Sequence, residues 1–259
     1  MIAVVSTIVF FGGLAFLVTR APNWDRFRAY FFDWGVYRES FPEIADAFLI
    51  NVKIFLIAEG IILVAALLIA VVRSLPGPVF FPLRALAIVY GDIFRSLPPI
   101  LVILMLGVGM PALGVSWVPM DQVFWAIVAL VLVYTAFVAE VYRAGIESVH
   151  PSQDAAARSL GLTRLQSLRH VVVPQAVRRV IPPLLNDFIG LQKDTALVSV
   201  LGVVEVLNNA QIVEAARFNG TPYLIAATLF IAITIPQARF TDWLIARDRR
   251  RRQVGGVAT

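Results

Sequence analysis

Twelve consecutive apolar residues, IILVAALLIAVV from Ile61 to Val72, constrain the fold more than any other stretch of the chain. The run lacks the polar/apolar alternation of a barrel strand, so in a bilayer it has to be helical, with its backbone N–H and C=O groups satisfied within the segment. A span needs about 20 mostly apolar residues. Stretches of similar character cover 2–18, 51–72, 97–108, 123–141, 181–203 and 223–246, which predicts an all-α polytopic membrane protein of about six transmembrane helices. Composition agrees: 59% of the 259 residues are hydrophobic, against about 45–50% in an ordinary globular domain.

The polar segments set the order and the orientation. No lysine or arginine precedes the run at 2–18, and no small-x-small cleavage site follows at Arg20-Ala21-Pro22, so it reads as a retained span rather than a cleaved leader. Residues 20–47 form a charged, aromatic loop whose tryptophans and tyrosines suit the membrane interface. A Ser-Leu-Pro-Gly-Pro turn at 74–78 closes the second span, and a polar-flecked helix over 82–95 meets the Pro98-Pro99 pair, which breaks or kinks a helix. A surface or re-entrant stretch reaches Asn219 before the last span. Residues 142–179 carry six arginines and the tail after Ala246 carries five, which places both segments and the C-terminus in the cytoplasm. Arg20, Arg26, Arg28 and Arg38 then fall outside, the one feature that opposes this topology. The expected division is 1–47 as an N-terminal helix and loop, 48–247 as the membrane domain and 248–259 as a basic cytoplasmic tail.

Several chemistries are excluded or unsupported. The net charge of +5 comes from arginines flanking apolar spans, which points to membrane lipid as the neighbour and not to nucleic acid. There is no cysteine, hence no disulfide, iron–sulfur cluster or thiol catalysis. The two lysines, Lys53 and Lys193, are followed by Ile and Asp, so neither sits in a Gly-x-x-x-x-Gly-Lys-Ser/Thr loop, and the chain has no ATP site of that kind. His150 and His170 lie in the basic loop without metal-ligand spacing. No catalytic residue, metal or cofactor is assigned to the chain itself.

The segment from Asp154 to Pro174, DAAARSLGLTRLQSLRHVVVP, is its most informative hydrophilic stretch. Ser152 suits an N-cap and Asp154 the first turn of a helix, where a carboxylate complements the dipole. Ala155, Ala156 and Ala157 favour helix, and Gly161 suits the position just past its end. A second helix starts near Thr163, with Leu165, Leu168 and Val172 on one face. Two short basic helices of this kind fit either a groove in another protein or a solvated connector.

AAARSLG at 155–161, nine further residues and VVVP at 171–174 resemble the EAA loop of permease subunits in bacterial ATP-binding-cassette importers. FRSLPPILV at 94–102, YTAFVAEVYRAGIESV at 134–149 and PQAVRRVIPPLLNDFIGLQKDTALVSVLGV at 174–203 resemble further segments of that family's polar-amino-acid branch. The resemblance implies a type I importer permease fold with a cytoplasmic coupling-helix loop, in a multi-pass protein of the bacterial inner membrane. It implies an ATPase dimer carrying ATP and magnesium, a second permease subunit, an extracytoplasmic solute-binding protein and a polar amino acid substrate. Asp154, Ala155, Ala156, Arg158, Ser159, Gly161, Leu162, Arg164, Leu165 and Pro174 would meet the ATPase. The family's glutamate falls at Ala155, and Asp154 points in a different helical direction.

Polar residues inside spans mark pathways or fix packing. Asn186, Gly190, Lys193 and Asp194 recur at intervals of three and four, so they share a helical face that lines a pathway or a helix contact, or else places Lys193 and Asp194 in intrahelical or interhelical ion pairing that only fixes packing. Glu140 and Arg143 are spaced for an i, i+3 pair. Arg95, Tyr134 and Thr135 complete the pathway candidates. A proton-coupled secondary transporter using Asp194 or Glu140, or a membrane scaffold without transport, are the competing functional classes.

Overall fold

A computed structural model describes residues 2–75 and 77–255; the side chains of the basic tail 248–259 lie outside the described residues. The α-helices run in the order α1 (Ile2–Thr19), α2 (Trp24–Phe31), α3 (Trp34–Ser74), α4 (Phe81–Ser96), α5 (Pro99–Ala112), α6 (Gln122–Glu147), α7 (Pro151–Ser159), α8 (Arg164–Ser167), α9 (Val173–Asp194), α10 (Val206–Arg217) and α11 (Thr221–Gly255). A π-helical turn, Leu168–Val172, joins α8 to α9, and a 3₁₀ segment, Thr195–Leu201, follows α9.

Among the described residues, three stretches are long and apolar enough to cross a membrane: Trp24–Ser74, Gln122–Glu147 and Thr221–Arg247. Two bent pairs, α4 with α5 at 102° and the α9 region with α10 at 51°, bring the number to five when each is counted as one broken span. The apolar helix α1 is additional and exposed along its length. The proline pair accounts for the first bend. Pro98 and Pro99 lack backbone N–H groups, so the helix stops at Ser96 and restarts at Pro99, where a missing donor costs nothing.

The expected loop at 20–47 is a departure. Asp33 caps α3, its carboxylate accepting from the N–H groups of Gly35 (2.8 Å) and Val36 (3.1 Å), and the helix runs unbroken through residues 47 and 48. The expected boundary therefore falls inside one helix. Its charges mislead a hydropathy reading: Arg38, Glu39, Glu43 and Asp46 are exposed, while Ser40, Ile44, Ala47, Phe48 and Asn51 form a buried face on the same turns.

That buried face continues through Ile54, Phe55, Ala58, Ile62, Ala66 and Ala70, at the three- and four-residue steps of a single helical stripe. Leu56, Ile61, Val64, Leu67 and Leu68 point away and are exposed. The stripe packs on α6, the central helix, through Ala126, Ala129, Leu130, Val133 and Ala139. Small residues dominate because lipid offers no hydrophobic incentive for helices to associate, so close backbone approach and van der Waals contact have to hold them. Gly145 carries this furthest: a Cβ there would collide with the Val180 side chain of α9.

Where the 3₁₀ segment gives way to α10, the chain leaves regular helix inside the bundle. Glu205, 0% exposed, caps α10 by accepting from the N–H groups of Leu207 (3.0 Å) and Asn208 (2.9 Å). Asn51 of α3 donates to Glu205 Oε2 (2.8 Å) and Thr195 Oγ1 (3.2 Å) and accepts from the N–H of Val206 (3.1 Å). One amide thus bonds three groups at the break, and of these the Thr195 hydroxyl also donates to Gln192 O (2.7 Å). Asn51→Leu should lower the thermal unfolding midpoint in detergent, at about 1–3 kcal/mol for each buried group orphaned, and speed amide exchange at 206–208. Glu205→Gln, which preserves much of the cap, should be milder in both measurements.

Candidate functional site

The hydrophilic segment between α6 and α9 folds as the sequence spacing requires, with one correction at its start. The N-cap of α7 is His150, not Ser152: the imidazole Nδ1 accepts from the Ser152 N–H at 3.2 Å. Pro151, with its fixed φ and no donor, is suited to the first helical position and moves the start upstream.

The end of α7 is a Schellman turn. The Leu162 N–H reaches Ala157 O (3.3 Å), the Gly161 N–H reaches Arg158 O (3.0 Å), and Gly161 adopts φ +90°. Thr163 then opens α8 with a capping box: the Gln166 N–H donates to Thr163 Oγ1 (3.3 Å), and the Gln166 side chain accepts from the Thr163 N–H (2.9 Å).

Asp154 does more than complement the helix dipole. Its Oδ1 accepts from Ser167 Oγ at 2.6 Å, across a separation of 13 residues, and Ser167 is fully buried. This latch folds α8 back onto α7, with Ala157 buried beneath. What faces outward is an apolar pair, Leu160 at 83% and Leu165 at 74% exposed, among exposed Ala155, Ala156, Arg158, Ser159, Gly161 and Arg164. Leu162 is half-buried, and Pro174 is exposed in the first turn of α9.

The intramembrane candidates divide into two groups. Tyr134 Oη donates to Asp194 Oδ2 at 2.9 Å, and a Cβ on Gly190 would lie 3.1 Å from that hydroxyl, so Tyr134, Gly190 and Asp194 come together. Buried Thr135 lies beside them in sequence, its hydroxyl without a hydrogen-bond partner. Asn186 and Lys193 are exposed; adjacent helical positions diverge by about 100°, so Asp194 takes its hydrogen bond from Tyr134 while Lys193 acts on it through charge.

The second group is ionic. Glu140 pairs with Arg143 as expected, and it also receives Arg73 of α3 at 2.8 Å and Arg95 of α4 at 3.7 Å. Arg143 extends the chain to Glu147 at 2.6 Å.

Sequence inspection missed Arg73, Asn51, Glu59 and Asp187. One Asp187 oxygen is buried without a hydrogen-bond partner. Glu59, inside IFLIAEGIILV, was detectable as a lone acid in an apolar run. Asp187, next to Asn186, was hidden by its more familiar neighbours.

Residues 63–250 match the family described as binding-protein-dependent transport system inner membrane component. The probable glutamine ABC transporter permease protein GlnP of Bacillus subtilis is 31% identical over 204 residues, 77% of this chain and 91% of the relative. The glutamate/aspartate import permease protein GltK of Escherichia coli O157:H7 is 31% identical over 226 residues, 84% and 99% respectively. Among solved structures, a chain of an amino acid ABC transporter crystallised with histidines superposes with a TM-score of 0.75 at 28% identity, covering 83% of this chain and 98% of that one. The methionine transporter MetNI in an inward-facing form, at 18% identity and a TM-score of 0.61, shares the fold.

The Gly161 geometry allows a clean test. No atom lies within 4 Å of where a Cβ would sit, so Gly161→Ala creates no clash and its cost is conformational, about 1–2 kcal/mol for a left-handed non-glycine residue. Gly161→Asn should cost less. Asp154→Ala should loosen the same unit by orphaning the buried Ser167 hydroxyl. Hydrogen exchange over 157–167 ranks the three variants.

Proposed function

The chain belongs to the family of inner membrane components of binding-protein-dependent transport systems, and on that premise we propose that it carries a polar amino acid inward, driven by a separate ATPase that docks on the 154–174 loop. As a member of that family it is the permease subunit of an ATP-binding-cassette importer, with a type I importer fold. The relatives named above are permeases for glutamine and for glutamate or aspartate, which supports an amino acid as cargo. They give no support to a proton-coupled mechanism.

The observation that carries the docking assignment is the pair of exposed leucines, Leu160 and Leu165, held on either side of the Gly161 turn. Two large apolar side chains exposed to this degree in a hydrophilic loop suit a partner surface. Arg158 and Arg164 beside them suit an acidic rim around an apolar cleft. Asp154 serves the loop's own shape, since its carboxylate is engaged by Ser167. Its neighbour Ala155 presents only a methyl group where the family motif has glutamate, so docking at this point rests on apolar contact. Tyr134, Gly190 and Asp194 are the proposed pathway residues, with Thr135 beside Tyr134 on α6 and the half-buried acids Asp187 on α9 and Glu59 on α3 as further candidates. The remaining proposed components are a second permease subunit, a solute-binding protein outside and ATP with magnesium on the ATPase.

Purification of the complex followed by reconstitution in vesicles tests this. Uptake should require ATP inside and the binding protein outside, and should survive collapse of the proton gradient. Uptake that stops with the gradient and ignores ATP would overturn the assignment. Leu160→Asp with Leu165→Asp should reduce co-purification of the ATPase at least tenfold. Gly161→Leu should leave hydrolysis running while uptake falls about tenfold.

A further inference from the structure

Three arginines from three helices converge on Glu140. Arg73, in the last turn of α3, donates through Nη1 to Oε2 at 2.8 Å, and its side chain is only 15% exposed. Arg143 lies one turn along α6 and pairs with Oε1. Arg95 is the third and the loosest, 3.7 Å from Oε2, and its second carboxylate lies on a different helix from Glu140, whereas the second partner of Arg143, Glu147, is on α6 itself: Arg95 Nη2 lies 3.1 Å from Asp92 Oδ1 of α4. The arginine is therefore shared between α4 and α6.

Both helices matter at this point. Arg95 stands in the last turn of α4, just before the 102° elbow into α5. Seven residues after Glu140, α6 ends at Glu147, and only Ser148 and Val149 separate it from the His150 cap of α7. That end of α6 is also fastened to α9: Arg179 donates to the Ser148 carbonyl oxygen, and Gly145 admits Val180. A displacement of the 154–174 loop is thus delivered to the α6 terminus.

We propose that Arg95 is a switching clasp: paired with Glu140 it holds the α4–α5 elbow against α6, and transferred wholly to Asp92 it releases the elbow during the transport cycle. Arg95 and Glu140 are positioning residues on this account, acting on helices and not on cargo. When Arg95 leaves, Glu140 keeps Arg73 and Arg143, and Arg95 keeps Asp92, so no charge is stranded. Part-exposed ion pairs are weak enough to exchange. The inference rests on the coupling role proposed for the 154–174 loop.

Because the chain has no cysteine, Leu86→Cys on α4 and Ile146→Cys on α6, both exposed positions, allow spin-label distances to be measured in the reconstituted complex. In the wild-type background the distance should change between the nucleotide-free and ATP-bound states. Asp92→Asn removes the alternative partner and should hold the nucleotide-free distance in both states, lowering uptake at least fivefold with hydrolysis within twofold of normal. Arg95→Gln should broaden the distance distribution in both states, and Glu140→Gln should do the same with a tenfold lower ratio of uptake to hydrolysis. An Asp92→Asn variant with the normal ATP-dependent distance change and normal uptake per ATP overturns the clasp, whether or not Glu140→Gln assembles. If the wild type shows no ATP-dependent uptake, the coupling proposal fails separately; an unchanged distribution in Arg95→Gln would then overturn the clasp on its own.

Discussion

Asn51 holds the place where this bundle departs from regular helix, and much of its outer architecture follows from that hydrogen-bond set. Backbone groups inside a bilayer have no water to turn to, so the interruption between the 3₁₀ segment and α10 is tolerable only if side chains replace the lost helical bonds. Asn51 and Glu205 do this from opposite sides, with Thr195 as a third partner, and all three are buried. A bent segment can thus sit within the membrane domain while α3, the longest helix, remains straight enough to present one continuous stripe to α6. Polar atoms that would be a liability in lipid become the means of ordering a break.

The opposite end of the bundle uses charge in place of neutral hydrogen bonds. Around Glu140 the arginines are part-exposed, so the electrostatics are softer and individual pairs can be exchanged at small cost. The contrast fits the division of labour expected of a transporter: a tightly satisfied knot where geometry must persist, and an exchangeable ion cluster near the 154–174 loop proposed to meet the ATPase. Tyr134 belongs to the α3–α6 core, and its phenol-to-carboxylate bond with Asp194 keeps a polar pair organised beside close-packed alanines.

Much of the docking loop was legible in the sequence because its determinants are local. Gly161 as the residue past a helix end and Thr163 as the start of the next depend on a few neighbouring residues, and both hold in the fold. The start of α7 was misplaced by two residues because proline at the first helical position outweighs serine as a cap, a competition between two local preferences. Acids and arginines lower the mean hydropathy of the aromatic segment before residue 48 and give it the look of a loop, although from Trp34 onward Arg38, Glu39, Glu43 and Asp46 occupy the exposed face of α3 whose other face is buried.

Apolar run length and the rule that bilayer backbone must be helical determined the fold class from the sequence alone, and glycine, threonine and proline punctuation determined the shape of the coupling loop. Only the tertiary structure decided which polar residues meet. Asn51 and Glu205 are 154 positions apart, Arg73 and Glu140 are 67 apart, and Tyr134 and Asp194 are 60 apart. Local preferences are set by neighbours along the chain and survive in isolation. A buried side chain pairs with whatever the packing of distant helices brings within about 3 Å of it, and that follows from helix crossings which no single stretch of sequence encodes.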